Sequence, residues 1–205
     1  GSSAASDVYK RQGHACATNC TVVPVVTPMI GMKSLGIKSV TIRTRQALSG
    51  AGWKLLFDAE ALSGNVNPFI PQEEEKLIAE LKYLLGIDVP VIASCNRVSE
   101  RDGHFVSVGV ELSRETTVEE VEELMKIPTL GLPSSPKLVN EIIDDSPTRQ
   151  EYLWNGNGMT TTVGNIRVEG NIVRYDALSH NTVRGAAGGV IPVSYTHLTL
   201  PTIRE

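Results

Sequence analysis

The chain has 205 residues, 41% of them hydrophobic and 20% charged, the balance of an ordinary folded protein with material for one sizeable core or two small ones. A formal net charge of −4 leaves no basic surplus, which argues against nucleic acid or an anionic membrane surface as the main partner. Three cysteines, at 16, 20 and 95, and four histidines, at 14, 104, 180 and 197, lack disulfide-scaffold or metal-ligand spacing, so a reduced, cytoplasmic protein without a structural metal is expected.

No apolar run reaches the roughly 18 to 20 residues that a membrane-spanning helix needs. The opening SDVYKRQ and the closing VSYTHLTLPTIRE look like translated sequencing-adapter DNA, so residues 1–12 and 193–205 are set aside as artefactual tails. Residues 13–192 are then expected to be one domain, an internal piece of a longer gene.

Directly after Cys20, TVVPVVTPMIGMKSLG reads as a helix ending near Gly31 or Gly36, with Pro28 kinking or breaking it. IKSVTIRTRQAL alternates Ile37, Val40 and Ile42 with polar neighbours as a half-buried strand does, and stops at the glycine turn SGAG. WKLLFDAEAL reads as a short helix and SGNVNPFIP as a loop. The clearest helix is PQEEEKLIAELKYLLG. Its first turn is acidic, Leu77, Ile78, Leu81, Leu84 and Leu85 run along one side, and Gly86 ends it.

VPVIASCNRV and HFVSVGVEL, joined by SERDG, read as an antiparallel pair of strands. TTVEEVEELMKI is an amphipathic helix capped by Thr116 or Thr117. PTLGLPSSPKLVNEIIDDSPTRQEY mixes proline-rich loop with one short helix, TTTVGNIRVEG and NIVRYDALS are strands, and NTVRGAAGGVI starts a small-residue helix. Together these elements imply an α+β domain whose mixed, mostly antiparallel sheet is covered by helices on one face. No G-x-G-x-x-G turn follows a first strand, so no complete dinucleotide-binding domain is visible.

Several residues could carry chemistry. A cysteine in the first turn of a helix meets the positive end of the macrodipole and unpaired N–H groups, which favour thiolate, so Cys20 is a candidate nucleophile. A lone cysteine is more commonly buried and inert, the reading given to Cys16 and Cys95. Arg97 and His104 bracket the turn between two strands and can face one cleft, where a guanidinium forks onto a carboxylate and an imidazole exchanges protons near neutrality. Glu73 and Lys76 lie one helical turn apart, a pattern that an exposed helix start also shows. Gln46 closes a strand just before the SGAG turn, whose bare backbone can approach a cofactor.

The set resembles aspartate-β-semialdehyde dehydrogenases, in their catalytic and dimerisation domain. TNCT, QALSGAG, GNVNPFIPQEEEK, CNRV…DGH, NGNGMTTTVGNIR and LSHNTVRGAAGG occur in family order from Thr18 to Gly189. The CNRV…DGH interval and the EEEK helix favour this family over glyceraldehyde-3-phosphate dehydrogenase, which shares the TNCT signature and a similar C-terminal domain. The resemblance implies NADPH-dependent reduction of aspartyl-4-phosphate to aspartate semialdehyde, with release of phosphate, through a thioester on Cys20. It further implies His104 as the acid/base group, Gln46 positioning the acyl intermediate, and Arg97 on the substrate carboxylate. Glu73 would meet the substrate's amino group, and Lys76 and Asn19 its phosphate. Ser49, Gly50 and Asn181 would lie along the NADP cofactor, and the chain would pair as a homodimer. The family's dinucleotide-binding domain precedes the cysteine, so residues 1–205 alone are expected to be inactive. Two alternatives stand beside this: a related acyl-phosphate or acyl-CoA reductase, acting on N-acetylglutamyl phosphate or malonyl-CoA, and a non-catalytic dimerisation domain.

Overall fold

The computed structural model describes residues 17–129, 131–132 and 134–194. Cys16, the first tail and all but two residues of the second lie outside them. Six strands form one mixed sheet in the order β2-β1-β3-β6-β5-β4, where β1 is Ile37–Gln46, β2 Val91–Arg97, β3 His104–Leu112, β4 Asn140–Ile142, β5 Thr161–Glu169 and β6 Ile172–Ser179. The β1–β2 and β4–β5 pairs are parallel, and β1–β3, β3–β6 and β5–β6 are antiparallel.

The period-two pattern of β1 sorts its faces: Ile37, Val40, Ile42, Thr44 and Gln46 are buried, while Lys38, Thr41, Arg43 and Arg45 are exposed. Helix α1, Val23–Met32, packs on the buried face among Val106, Val108, Val110, Val173 and Tyr175. It has few polar side chains and buries seven of its ten residues, as a helix sandwiched between layers must. Pro24 occupies the first turn, where its missing N–H costs nothing. Pro28 is carried inside the helix rather than breaking it, because it forfeits a single backbone bond within an element held from both sides.

Helix α2, Glu73–Leu85, covers the β1–β2 end of the sheet and stops at Gly86, which adopts the left-handed conformation at φ 61°. Leu77, Leu81 and Leu85 are fully buried, worth roughly 1.5–3 kcal/mol each. Leu84 is instead 41% exposed, and two carboxylates, Glu73 and Glu80, take places on the buried side. Helix α3, Val118–Met125, is capped by Thr117, whose side chain accepts the Glu120 N–H.

Three expectations need correction. β2 and β3 do not pair with each other, because β1 lies between them. The connection 98–103 therefore strides over the end of β1, about 9–10 Å for two strand spacings, and is tied down on the way: Val98 N–H donates to Gln46 O, and Leu48 and Ser49 N–H donate to Glu100 O and Arg101 O. Residues 53–62 form two single turns, Trp53–Leu56 and Ala59–Leu62, because the Asp58 side chain caps a new start at Ala61 N–H. Within the proline-rich stretch, Asn140–Ile142 is a sixth strand as well as a loop.

Candidate active site

The C-terminal ends of β1, β2 and β6 and the N-terminal end of β3 lie side by side. Gln46 is registered with Arg97, and His104 with Ser179. Onto this rim comes the turn ahead of α1. Cys20 does not sit inside the helix; it lies three residues before Val23, in a turn closed by Val22 N–H on Asn19 O. Its Sγ is 3.2 Å from Nε2 of His104. Behind the sulfur is Gly185, where a Cβ would stand 2.5 Å from that of Cys20, so only glycine admits the Cys20 loop this deeply.

Helix α2 fixes that loop. Glu73 accepts from Thr21 Oγ1 at 2.9 Å, from Gln46 Nε2 at 3.1 Å and from Asn19 Nδ2 at 3.3 Å. Glu80 accepts the main-chain N–H of Asn19 at 2.9 Å. Asn19 in turn accepts from Thr21 N–H through Oδ1 at 2.8 Å, so its side chain holds the loop.

One residue on β1's far end joins the rest. The main-chain N–H of Ala47 donates to Nδ1 of His104 at 3.1 Å, and its carbonyl accepts from Nη1 of Arg97 at 2.6 Å. The exposed backbone of Gly50 covers both side chains: a Cβ there would stand 2.9 Å from Arg97 Nη1 and 3.0 Å from His104 Cε1. Asn181 Nδ2 donates to Ser49 Oγ at 2.8 Å, and Asn181 Oδ1 accepts from Gly103 N–H at 2.8 Å. Nine of the ten residues named from the sequence thus gather on the rim, eight of them in three hydrogen-bonded groups that adjoin along the backbone, Cys20–His104–Arg97 through Ala47, Asn19–Glu73–Gln46, and Ser49–Asn181, with Gly50 joined by contact. Lys76 stands apart: it is exposed, one turn after Glu73 on α2.

The electrostatics differ from a helix-activated thiol. Burial first, and the Glu73 carboxylate second, push the Cys20 thiol up, against smaller lowering by the Thr21 hydroxyl and the Arg97 guanidinium. Cys95 is buried and pushed up to about 11, chiefly by burial, consistent with an inert thiol. His104 falls from the ordinary 6.5 to about 3, because its ring is buried and Arg97, Arg149 and His180 disfavour another positive charge. Arg97 is lowered by burial, with Glu73 and Cys20 acting the other way.

Two contributors were not anticipated. Glu80 is a carboxylate on the apolar stripe of α2, three residues after Leu77 and next to Leu81, and a charge in that position is the signal that marks it. His180 is buried edge-on to Trp154 at 4.5 Å between ring centroids. Among the described residues no cluster of His, Cys, Asp or Glu could hold a metal ion, and no helix is long and apolar enough to cross a membrane.

The family profile described as semialdehyde dehydrogenase, dimerisation domain, matches residues 26–184. An aspartate-semialdehyde dehydrogenase of Archaeoglobus fulgidus is 41% identical over 187 residues, covering 84% of this chain and 54% of that protein. The chain belongs to the aspartate-semialdehyde dehydrogenase family. A Trichophyton rubrum member is 33% identical over 86% of this chain and 56% of its own length. Among solved structures, the Candida albicans aspartate-semialdehyde dehydrogenase with NADP superposes with a TM-score of 0.71 at 28% identity, covering 90% of this chain and 57% of that one. A Vibrio cholerae enzyme of the family shares the fold with a TM-score of 0.69 at 19% identity. The chain thus spans about half the length of the relatives it matches.

Proposed function

We propose that this chain carries the catalytic residues of an aspartate-semialdehyde dehydrogenase, which reduces aspartyl-4-phosphate to aspartate 4-semialdehyde through a thioester on Cys20. The contact between Cys20 Sγ and His104 Nε2, on a rim bearing both a carboxylate and a guanidinium, carries the reading. The Cys20 sulfur attacks the acyl carbon, the bond to the phosphate oxygen breaks, and phosphate leaves with the electron pair. Arg97 and Glu73 flank that sulfur with opposite charges, as an amino-acid substrate requires of its carboxylate and ammonium. Gln46, tied to Glu73, positions the acyl group, and Lys76 at the exposed end of α2 meets the phosphate. Asn19 keeps its place beside that phosphate subsite by holding the nucleophile loop.

For the cofactor, the Gly50 backbone is bare over His104 and Arg97, and the hydrogen-bonded pair Ser49–Asn181 adjoins it. Ser49, Gly50 and Asn181 would hold the nicotinamide end of NADP, the form bound by the Candida relative. When bound, the cofactor supplies the hydride that reduces the thioester. Residues 1–205 alone are proposed to turn over negligibly, since the sequence shows no glycine-rich dinucleotide turn of its own. The open face of the sheet, with Arg43, Arg45, Arg167 and Arg174 beside Glu111 and Asp176, is proposed as the surface through which two copies pair.

Glu73 also separates this reading from reductases of N-acetylglutamyl phosphate or malonyl-CoA, which present no ammonium. A non-catalytic dimerisation domain leaves the rim without a use. Acyl transfer is tested by exposing the chain to aspartyl phosphate and mapping adducts by mass spectrometry. A hydroxylamine-labile acyl group on Cys20, absent from Cys20→Ser, is expected; acylation spread over other residues, or none, refutes it.

A further inference from the structure

We propose that the cleft between residues 134–138 and 151–160 binds a mononucleotide, its base stacked on Trp154 and its single phosphate held by Ser134, Ser135 and Lys137. The cleft uses none of the residues assigned to acyl transfer.

The cleft encloses about 1000 Å³, the upper end of what small-molecule sites offer. Its walls are tied to each other: Thr160 Oγ1 donates to Leu138 O at 2.8 Å, and Asn155 Nδ2 donates to Thr162 Oγ1 at 3.0 Å and to the carboxylate of Glu141. The second wall turns through Gly156, Asn157 and Gly158, all left-handed at φ 54°, 57° and 77°. A Cβ at Gly156 would meet Thr160 Oγ1 of its own wall and Pro136 of the other, so glycine holds the gap between them open. Asn157 bears the cost of that backbone with a full side chain. Such strain persists where surroundings over-determine it, and ligand clamps are among those places.

Two kinds of surface meet in the cleft. Trp154 is 65% exposed and Leu138 53%, and the indole is braced edge-on against the buried His180 at 4.5 Å. A braced, open indole gives any flat heterocycle a face to stack on. The uncommitted polar groups include donors suited to an anion. Ser134 Oγ is buried in the lining without a hydrogen-bond partner, an unmet polar atom of a kind that native interiors rarely keep. Ser135 adds a second hydroxyl, and Lys137 is exposed and forms no ion pair among the described residues. Two hydroxyls and an ammonium within residues 134–137 make a cradle for one phosphate.

Carboxylates set the limit on charge. Glu141 and Glu151 line the same cleft, and each already accepts one hydrogen bond, from Asn155 and from Thr148 Oγ1. Their remaining oxygens suit ribose hydroxyls, while their charge opposes a triphosphate. A base, a sugar and one phosphate therefore match the whole lining; a simple anion leaves Trp154 and Leu138 uncovered.

Trp53 and Trp154 are the chain's two tryptophans, so Trp53→Phe leaves Trp154 as the reporter. Adenosine monophosphate is expected to quench its fluorescence saturably, with a dissociation constant below about 1 mM. Ser134→Ala removes a hydroxyl that has no partner in the free protein, so the fold is not at risk. In the same background Ser134→Ala and Lys137→Ala are each expected to weaken binding about tenfold, the worth of a hydrogen bond to a charged group. As competitors, adenosine, inorganic phosphate and adenosine triphosphate should each be weaker than the monophosphate by about tenfold or more. The proposal is overturned by the absence of a saturable quench, by affinity that survives both substitutions, or by any of the three competitors matching the monophosphate. Acylation of Cys20 by aspartyl phosphate is a separate measurement, so failure of either reading leaves the other standing.

Discussion

Glu80 accepts the main-chain N–H of Asn19 at 2.9 Å and so ties the middle of α2 to the residue ahead of Cys20. Removing it leaves a half-buried N–H unpaired, so Glu80→Ala is expected to cost about 1 kcal/mol in urea denaturation. Glu80→Gln retains an acceptor and should lose less. Cys20 labelling should slow in the alanine variant and recover in the glutamine one; equal labelling in all three proteins would show that the tether does not position the loop.

Glu73 is expected to restrain the free thiol. Since its carboxylate is the second cause, after burial, of the raised Cys20 value, Glu73→Gln should move the pH profile of Cys20 alkylation toward lower pH. Alkylation at neutral pH should then speed up. A profile that stays in place would mean that burial alone holds the thiol protonated.

Stability should fall on acidification before the carboxylates titrate. His104 has a folded value of about 3 against the ordinary 6.5, so the unfolded chain takes up the proton first. Its contribution is complete above the ordinary value and is lost as pH drops toward the folded one. His180, lowered chiefly by burial, adds in the same direction. Denaturation midpoints measured from about pH 7 down to about pH 5 should decline, and less steeply in His104→Gln. At the alkaline end the sign reverses: Cys20 and Cys95 are pushed above the ordinary thiol value of 9.0, so stability should decline as pH rises through it.

Gly185→Ala puts a methyl group 2.5 Å from the Cys20 Cβ and 2.8 Å from its Cα, where nothing flexible can yield. The expected cost is about 1–3 kcal/mol of overpacking, with Cys20 shifted off His104 and labelled more slowly. Unchanged labelling together with unchanged stability would show that the turn Val183–Ala187 moves aside freely.

Much of the fold could be read from local pattern. Alternation marked β1, and acidic first turn, apolar stripe and Gly86 marked α2. Leu84 could not be told from Leu81, since an amphipathic stripe fixes a face but not where a neighbouring layer ends, and only Leu81 lies under the sheet. Strand order was less legible still: a short polar link between VPVIASCNRV and HFVSVGVEL reads as a hairpin unless the intervening partner β1 is known. Cys20, Arg97 and His104 were singled out by residue type and company. The distances between them were not, because Ala47, whose main-chain groups join two of them, has no side-chain signature at all.

The stride of residues 98–103 over the tip of β1 also sets when the site can exist. Cys20 and His104 are 84 positions apart, and their meeting needs β1 threaded between its neighbours, α2 docked and Gly185 seated beneath the sulfur. Contacts of such wide sequence separation are slow to form, because loop closure costs entropy before they can repay it. The chemical reactivity of one thiol is therefore a readout of whether the entire chain from Asn19 to Gly185 has reached its native arrangement.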